Sequence, residues 1–190
     1  MQMKKVLITL FVAVIALQLS AQDNLLTKGE RVLNLGIGFG STLYTGSGYT
    51  SSIPPVSASF EVGVKDDVLD VGSIGVGGYL GYSAYKWEYA GFGSNWGWKY
   101  TDFIIGARGT LHYPLVEKLD TYTGIMLGYE VVSSKEIGTI DPNFNYDVTS
   151  GGVIWSWYAG GRYYFTDNFA VMAELGYGIT YLTIGVALKL

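Results

Sequence analysis

The chain closes on Tyr181-Leu182-Thr183-Ile184-Gly185-Val186-Ala187-Leu188-Lys189-Leu190. Leu182, Ile184, Val186, Leu188 and Leu190 share one parity and Tyr181, Thr183, Gly185, Ala187 and Lys189 the other, the period of two that marks a strand. Just upstream, Phe169, Val171, Ala173, Leu175 and Tyr177 alternate with Ala170, Met172, Glu174 and Gly176, and only Gly178, Ile179 and Thr180 separate the two runs. An antiparallel pair with one apolar face and one face of small residues fits either a soluble sheet over a core or a barrel in lipid.

The same pattern recurs towards the N-terminus. Leu33, Leu35, Ile37 and Phe39 alternate with Asn34, Gly36, Gly38 and Gly40, and further alternating runs fall at about 55–65, 73–86, 99–113, 120–132 and 152–165. Within the fourth run Ile104 is out of place on the polar parity. Eight strands are therefore expected, the last pairing with the first near 33–40 to close an all-β, eight-stranded antiparallel up-and-down transmembrane barrel. Long connections over 43–54, 87–98 and 133–151 alternate with short turns, the three-residue loop after the seventh run being the exception, and this is the asymmetry of outer-membrane barrels between their outer and periplasmic ends.

Residues 1–21 read as a secretory signal: Lys4 and Lys5, an apolar run too short for a comfortable span, then Leu19-Ser20-Ala21. Cleavage is expected after Ala21 or, alternatively, Gln22, leaving a periplasmic lead-in over 22–31 and a barrel over 32–190. Cleavage leaves ten bases against sixteen acids, a net charge of −6. An acidic exported chain is a poor nucleic-acid binder. With no cysteine there is neither a disulfide framework nor a thiolate metal site, and 27 Gly and 16 Tyr favour an all-β chain. No later apolar run approaches the roughly 18 residues of a membrane helix, so a membrane form has to be a barrel.

The polar parity decides which face meets lipid. It is mostly Gly, Ser and Ala, with Glu61, Asp102, Glu130 and Glu174 balanced by Lys65, Arg108, Arg162 and Lys189. On a soluble exterior so many glycines would weaken the strands for no gain. Inside an eight-stranded barrel, barely wide enough for its own side chains, they make room for large neighbours. The four acids and four bases are expected to pair in a filled lumen, because an unpaired ion there costs several kcal/mol. The apolar parity then faces lipid, with aromatics such as Tyr82, Tyr129, Trp155, Tyr163 and Phe169 near the membrane-water interfaces.

Gly160-Gly161-Arg162-Tyr163-Tyr164-Phe165-Thr166-Asp167-Asn168, then Ala173-Glu174-Leu175-Gly176-Tyr177-Gly178 and the closing strand resemble the small bacterial outer-membrane β-barrel family of OmpA-type, OmpX-type and opacity-like proteins. The resemblance implies location in the bacterial outer membrane and contact with its lipids and lipopolysaccharide. It leaves the role open, because the family hosts adhesins, structural barrels, small channels and lipid-modifying enzymes.

Chemistry is not expected. His112 is the only histidine, so a Ser-His-Asp site could be built only around it, and it lies beside a short turn. It is expected instead as a barrel-end histidine bonded near Glu117 or Asp120. Asp141-Pro142-Asn143-Phe144-Asn145-Tyr146-Asp147 spaces oxygen ligands as a calcium loop begins, but Tyr146 replaces the turn glycine and Gly152 the final glutamate, so no metal is expected. No cofactor motif occurs. Trp87, Tyr89, Phe92, Trp96 and Trp98 are the candidate contacts for an extracellular ligand or surface partner, or else outer head-group anchors. The expected role is structural or surface-interacting, against a small-solute channel or hydrophobic-ligand carrier, with a lipid-modifying enzyme the weakest alternative.

Overall fold

Alternating small and apolar residues build a closed antiparallel sheet in the computed structural model, which describes residues 25–44, 48–91, 94–138 and 147–190. The signal segment 1–21, and with it either cleavage position, lies outside these residues. Among the described residues eight strands follow in order: β1 (Arg31–Ser41), β2 (Tyr49–Val68), β3 (Gly72–Gly91), β4 (Ser94–Val116), β5 (Leu119–Ile137), β6 (Val148–Tyr164), β7 (Phe169–Tyr177) and β8 (Thr180–Lys189). Each pairs with its sequence neighbours, and β1 closes the ring against β8 from Val32↔Lys189 to Ser41↔Thr180. Ring closure leaves no unpaired sheet edge, the condition for a sheet to cross a bilayer.

Side-chain parity separates inside from outside as the residue types require. Val153, Ile125 and Leu127 stand 77%, 66% and 64% exposed on the exterior, whereas Ile104, Tyr122, Met126, Ile154, Tyr158 and Ile179 form a buried cluster in the lumen. Ile104, out of place in the sequence pattern, is thus the apolar floor of a mostly polar interior. Glycines open the space the large lumenal rings need: a Cβ at Gly124 would press on the Tyr158 hydroxyl at 2.5 Å.

The strands on one side are much longer than the alternating runs. β2 to β5 hold 20, 20, 23 and 19 residues against 11, 9 and 10 in β1, β7 and β8. About 10 tilted residues cross a bilayer, so half of each long strand projects beyond it. The expected loop over 87–98 is in fact a paired hairpin, with Trp87↔Trp98 and Glu88↔Gly97 in register, and the expected loops over 43–54 and 133–151 shrink as β2 begins at Tyr49 and β5 runs to Ile137. Extended pairing satisfies backbone groups that a loop would leave to water.

At the other end, the lead-in over 25–30 folds back under the barrel. The Gly29 N–H donates to the Gly63 carbonyl and the Gly63 N–H to the Glu30 carbonyl, while the Ser73 hydroxyl donates to the Leu26 carbonyl at 2.5 Å. A Cβ at Gly63 would overlap the Thr27 carbonyl, so this approach requires glycine. Leu26 is fully buried with Val32, Tyr164, Ala170 and Ala187.

Candidate functional site

Four strands bring one buried ring of charges together in the turn-side half of the lumen. Arg162 on β6 donates from Nη1 to Asp120 Oδ2 at 3.0 Å and from Nη2 to Glu61 Oε2. His112 on β4 sets Nδ1 2.8 Å from Asp120 Oδ1 and Nε2 2.9 Å from Glu61 Oε1. Each carboxylate therefore receives one imidazole nitrogen and one guanidinium nitrogen, and the ring closes. The Arg162 guanidinium also lies 4.5 Å from the centre of the Tyr122 ring. His112 and Arg162 are 0% and 1% exposed, so removing any member strands a buried charge.

A second centre lies further up. Arg108 Nη2 donates to Glu174 Oε2 at 2.7 Å, Tyr122 donates to the same oxygen at 3.2 Å, and the guanidinium stacks 3.6 Å from the centre of the Tyr158 ring. Asn34 and Ser59 complete the layer through a 3.0 Å hydrogen bond. The void beside this pair, lined by Tyr79, Met126 and Ile179 among others, measures about 20 Å³, room for about one water.

The expected set of eight charges is only partly brought together. Glu61, Arg162, Arg108 and Glu174 pair in the lumen. Lys189 instead bonds Glu30 at 2.6 Å and the Leu25 carbonyl at 3.1 Å, holding the lead-in against the barrel mouth. Lys65 is exposed and has no ion pair among the described residues, because the strand has left the lumen at that height. Asp102, fully buried near the opposite mouth, has no ion-pair partner among the described residues; it accepts from Tyr44 at 2.6 Å and Ser83 at 2.9 Å. Glu130 faces the same region, and its Oε1 has no hydrogen-bond partner among the described residues. His112 bonds Asp120, as one of the two expected partners, and Glu61, not Glu117. The link from His112 to Glu61 and the lead-in were not visible in the sequence, since spacing along one strand says nothing of partners 51 residues away.

Both ring nitrogens of His112 face carboxylates, so neither is free to take a proton from a serine, and the residue is a structural link. Among the described residues no group of three or more His, Asp or Glu is arranged for a metal. The Asp141–Asp147 stretch, apart from Asp147, lies outside them.

Tyrosines cap the mouth above Asp102: the Tyr44 ring lies 4.6 Å from Tyr85, 5.3 Å from Tyr100 and 5.4 Å from Tyr49. Burial, then the hydrogen bond to Asp102, raises the Tyr44 phenol above its ordinary range, keeping it a donor. Trp87 and Trp96 meet edge to face at 5.6 Å. Trp87, Trp96 and Trp98 share the parity of lumen-facing Tyr100 and Asp102 and not that of the lipid face, so they are not head-group anchors. Phe92 and the side chain of Tyr89 lie outside the described residues.

The exterior shows where lipid sits. From Phe103 to Tyr113, β4 rises about 25 Å at ~3.3 Å per residue and a tilt near 40°, the height of an outer-membrane apolar band. Aromatic pairs mark both edges: Trp155 on β6 with Tyr177 on β7 at 6.2 Å, and Tyr163 on β6 with Phe165 in the turn that follows at 5.2 Å. Among the described residues no helix is long and apolar enough to cross a membrane, and the crossing is made by strands. An exterior of this kind is satisfied only in a bilayer, and a closed β-barrel with such a band places the chain in the outer membrane.

No family model matches the chain. No curated protein matches it either. Solved structures do resemble it. The attachment invasion locus protein Ail of Yersinia pestis, in complex with the heparin analogue sucrose octasulfate, aligns at 12% identity over 86% of this chain and 96% of its own, with a TM-score of 0.49. The N-terminal β-barrel domain of Pseudomonas aeruginosa OprF aligns at 17% identity over 86% and 98%, and Neisserial surface protein A at 16% over 86% and 98%, both with a TM-score of 0.49. In fold, by its own closed ring of eight antiparallel strands and its apolar exterior band, the chain is a small eight-stranded transmembrane β-barrel.

Proposed function

We propose that this barrel is a non-conducting, non-enzymatic outer-membrane protein that presents its projecting hairpins to an extracellular ligand or surface partner. The observation that carries the reading is the wall formed by β2 to β5, which projects well beyond what a bilayer needs and ends in the paired tryptophans Trp87 and Trp96. Strands extended this far cost backbone and side-chain entropy that membrane crossing does not repay, and clustered Trp and Tyr are favoured anchors of binding surfaces. The stacked ion centres and the aromatic cap speak for a lumen closed to solutes, against the channel reading. A lipid-modifying activity finds no support in His112.

The test is the variant W87S/W96S/W98S, displayed on cells and probed against an array of glycans and extracellular-matrix proteins. The barrel should still insert, and a ligand held by the unmodified chain should be lost. Equal binding by both would contradict the reading.

A further inference from the structure

Three lysines stand side by side across adjacent strands. Lys86 on β3 is the register partner of Lys99 on β4, and Lys99 is the partner of Lys135 on β5. Register partners have Cα atoms roughly 4.5–5.5 Å apart and point to the same face. That face is the exterior, because Lys99 and Lys135 share the parity of exposed Phe103 and Val131, opposite to buried Asp102. None of the three has an ion-pair partner among the described residues. Glu88, two residues beyond Lys86 on the same face, is the one acid that β3 adds there.

Like charges directly opposite one another destabilise a sheet. The lumen shows the contrary habit, since Arg108 and Arg162 are both neutralised. A triple cation row is therefore an expense unless an anion bridges it, and its height says which anion. The outermost large apolar row on these strands is Tyr82↔Phe103↔Val131; the next is Ala84↔Thr101↔Ser133, and the lysines follow. Four residues beyond Phe103 is about 10 Å above the apolar edge, within the polar head-group layer.

We propose that Lys86, Lys99 and Lys135 form a docking row for the phosphate groups of an anionic glycolipid in the outer leaflet. The proposal rests on the outer-membrane placement and not on the tryptophan surface, which faces the other way. Head-group phosphates are delivered laterally at this height and would bridge neighbouring ammonium groups. The row would thus seat the barrel at a defined depth and hold the wall of β3 to β5 upright.

The test uses the full barrel folded in detergent micelles, titrated with diphosphorylated lipid A and with the same glycolipid stripped of phosphate. The variant K86Q/K99Q/K135Q is compared with K65Q, which removes an exposed lysine at the opposite end; heat-modifiable mobility verifies that each has folded. At about 1 kcal/mol for each lysine near an anionic surface, the triple variant should bind the diphosphorylated lipid about a hundredfold more weakly. K65Q should bind as the unmodified chain does, and added salt should weaken the interaction. Equal affinity of the triple variant, equal affinity for the dephosphorylated lipid, or lysine-dependent binding of soluble dextran sulfate alone would overturn the proposal. Array binding through the tryptophans is a separate readout, so either idea can fail without the other.

Discussion

His112 Nε2 stands 2.9 Å from Glu61 Oε1, linking β4 to β2 across the lumen, while Arg162 reaches the other oxygen of the same carboxylate. The barrel is thereby tied through its interior between strands that share no backbone hydrogen bonds. An interior tie of this kind resists collapse or flattening of a thin cylinder, which the backbone ladder alone does not.

Breaking the ring from one side should be costly. Arg162→Leu leaves Glu61 and Asp120 without their shared guanidinium, and is expected to lower stability by about 3–5 kcal/mol. His112→Leu removes two hydrogen bonds to charged acceptors and should cost about 2–3 kcal/mol. Urea unfolding of the barrel refolded in detergent micelles measures both. A loss below about 1 kcal/mol for Arg162→Leu would mean that the ring does not hold the barrel.

The lipid face makes the opposite demand. Leu127 is 64% exposed on the exterior, and a charge there would be harmless in a water-soluble protein. In a bilayer Leu127→Arg should cost about 2–4 kcal/mol near the midplane. Unfolding in lipid vesicles checks this, and an unchanged midpoint would contradict the assignment of faces.

The latch at the turn-side mouth should respond to acid. Burial raises the Glu30 carboxyl, but hydrogen bonds from Lys189 and the Thr27 N–H, with the Lys189 charge, outweigh it and hold the group below its ordinary value of 4.5. A group lowered by folding contributes stability above its unfolded value and loses it as pH falls through the folded one. The 25–30 segment should stay protected at neutral pH and open below about pH 4. Hydrogen exchange of its amides reports this, and Glu30→Gln should remove the dependence. Equal protection at pH 7 and pH 3 in the unmodified chain would count against the latch.

A lumen crossed by two ion centres should not conduct. The barrel inserted into planar bilayers is expected to give no stable single-channel steps, whereas sustained openings of uniform size would show that the Arg108 and Arg162 layers leave a pore.

How far the chain could be read follows from the range of each signal. Period-two alternation is local, so the strands, their order, the lipid face and the β1–β8 closure were legible from residues such as Leu182 to Leu190. The same rule undershot β2 to β5, because the projecting halves carry Trp87, Trp96 and Trp98 on the inner parity and Lys86, Lys99 and Lys135 on the outer, so the apolar-outside alternation ends where lipid no longer imposes it. The charge balance announced lumenal pairing but not the partners: Arg108 and Glu174 lie 66 residues apart, and Lys189 left the lumen to hold Glu30. The lead-in over 25–30 was unreadable as structure, because the pocket that buries Leu26 is made of residues from four strands.

The most direct measurement of the central claim is outer-membrane fractionation of the expressed chain, with its gel mobility compared before and after boiling. A membrane-embedded closed barrel should sediment with the outer membrane, resist carbonate extraction, and change mobility when boiling opens the sheet. A chain recovered in the soluble fraction with one unchanging mobility would contradict the account.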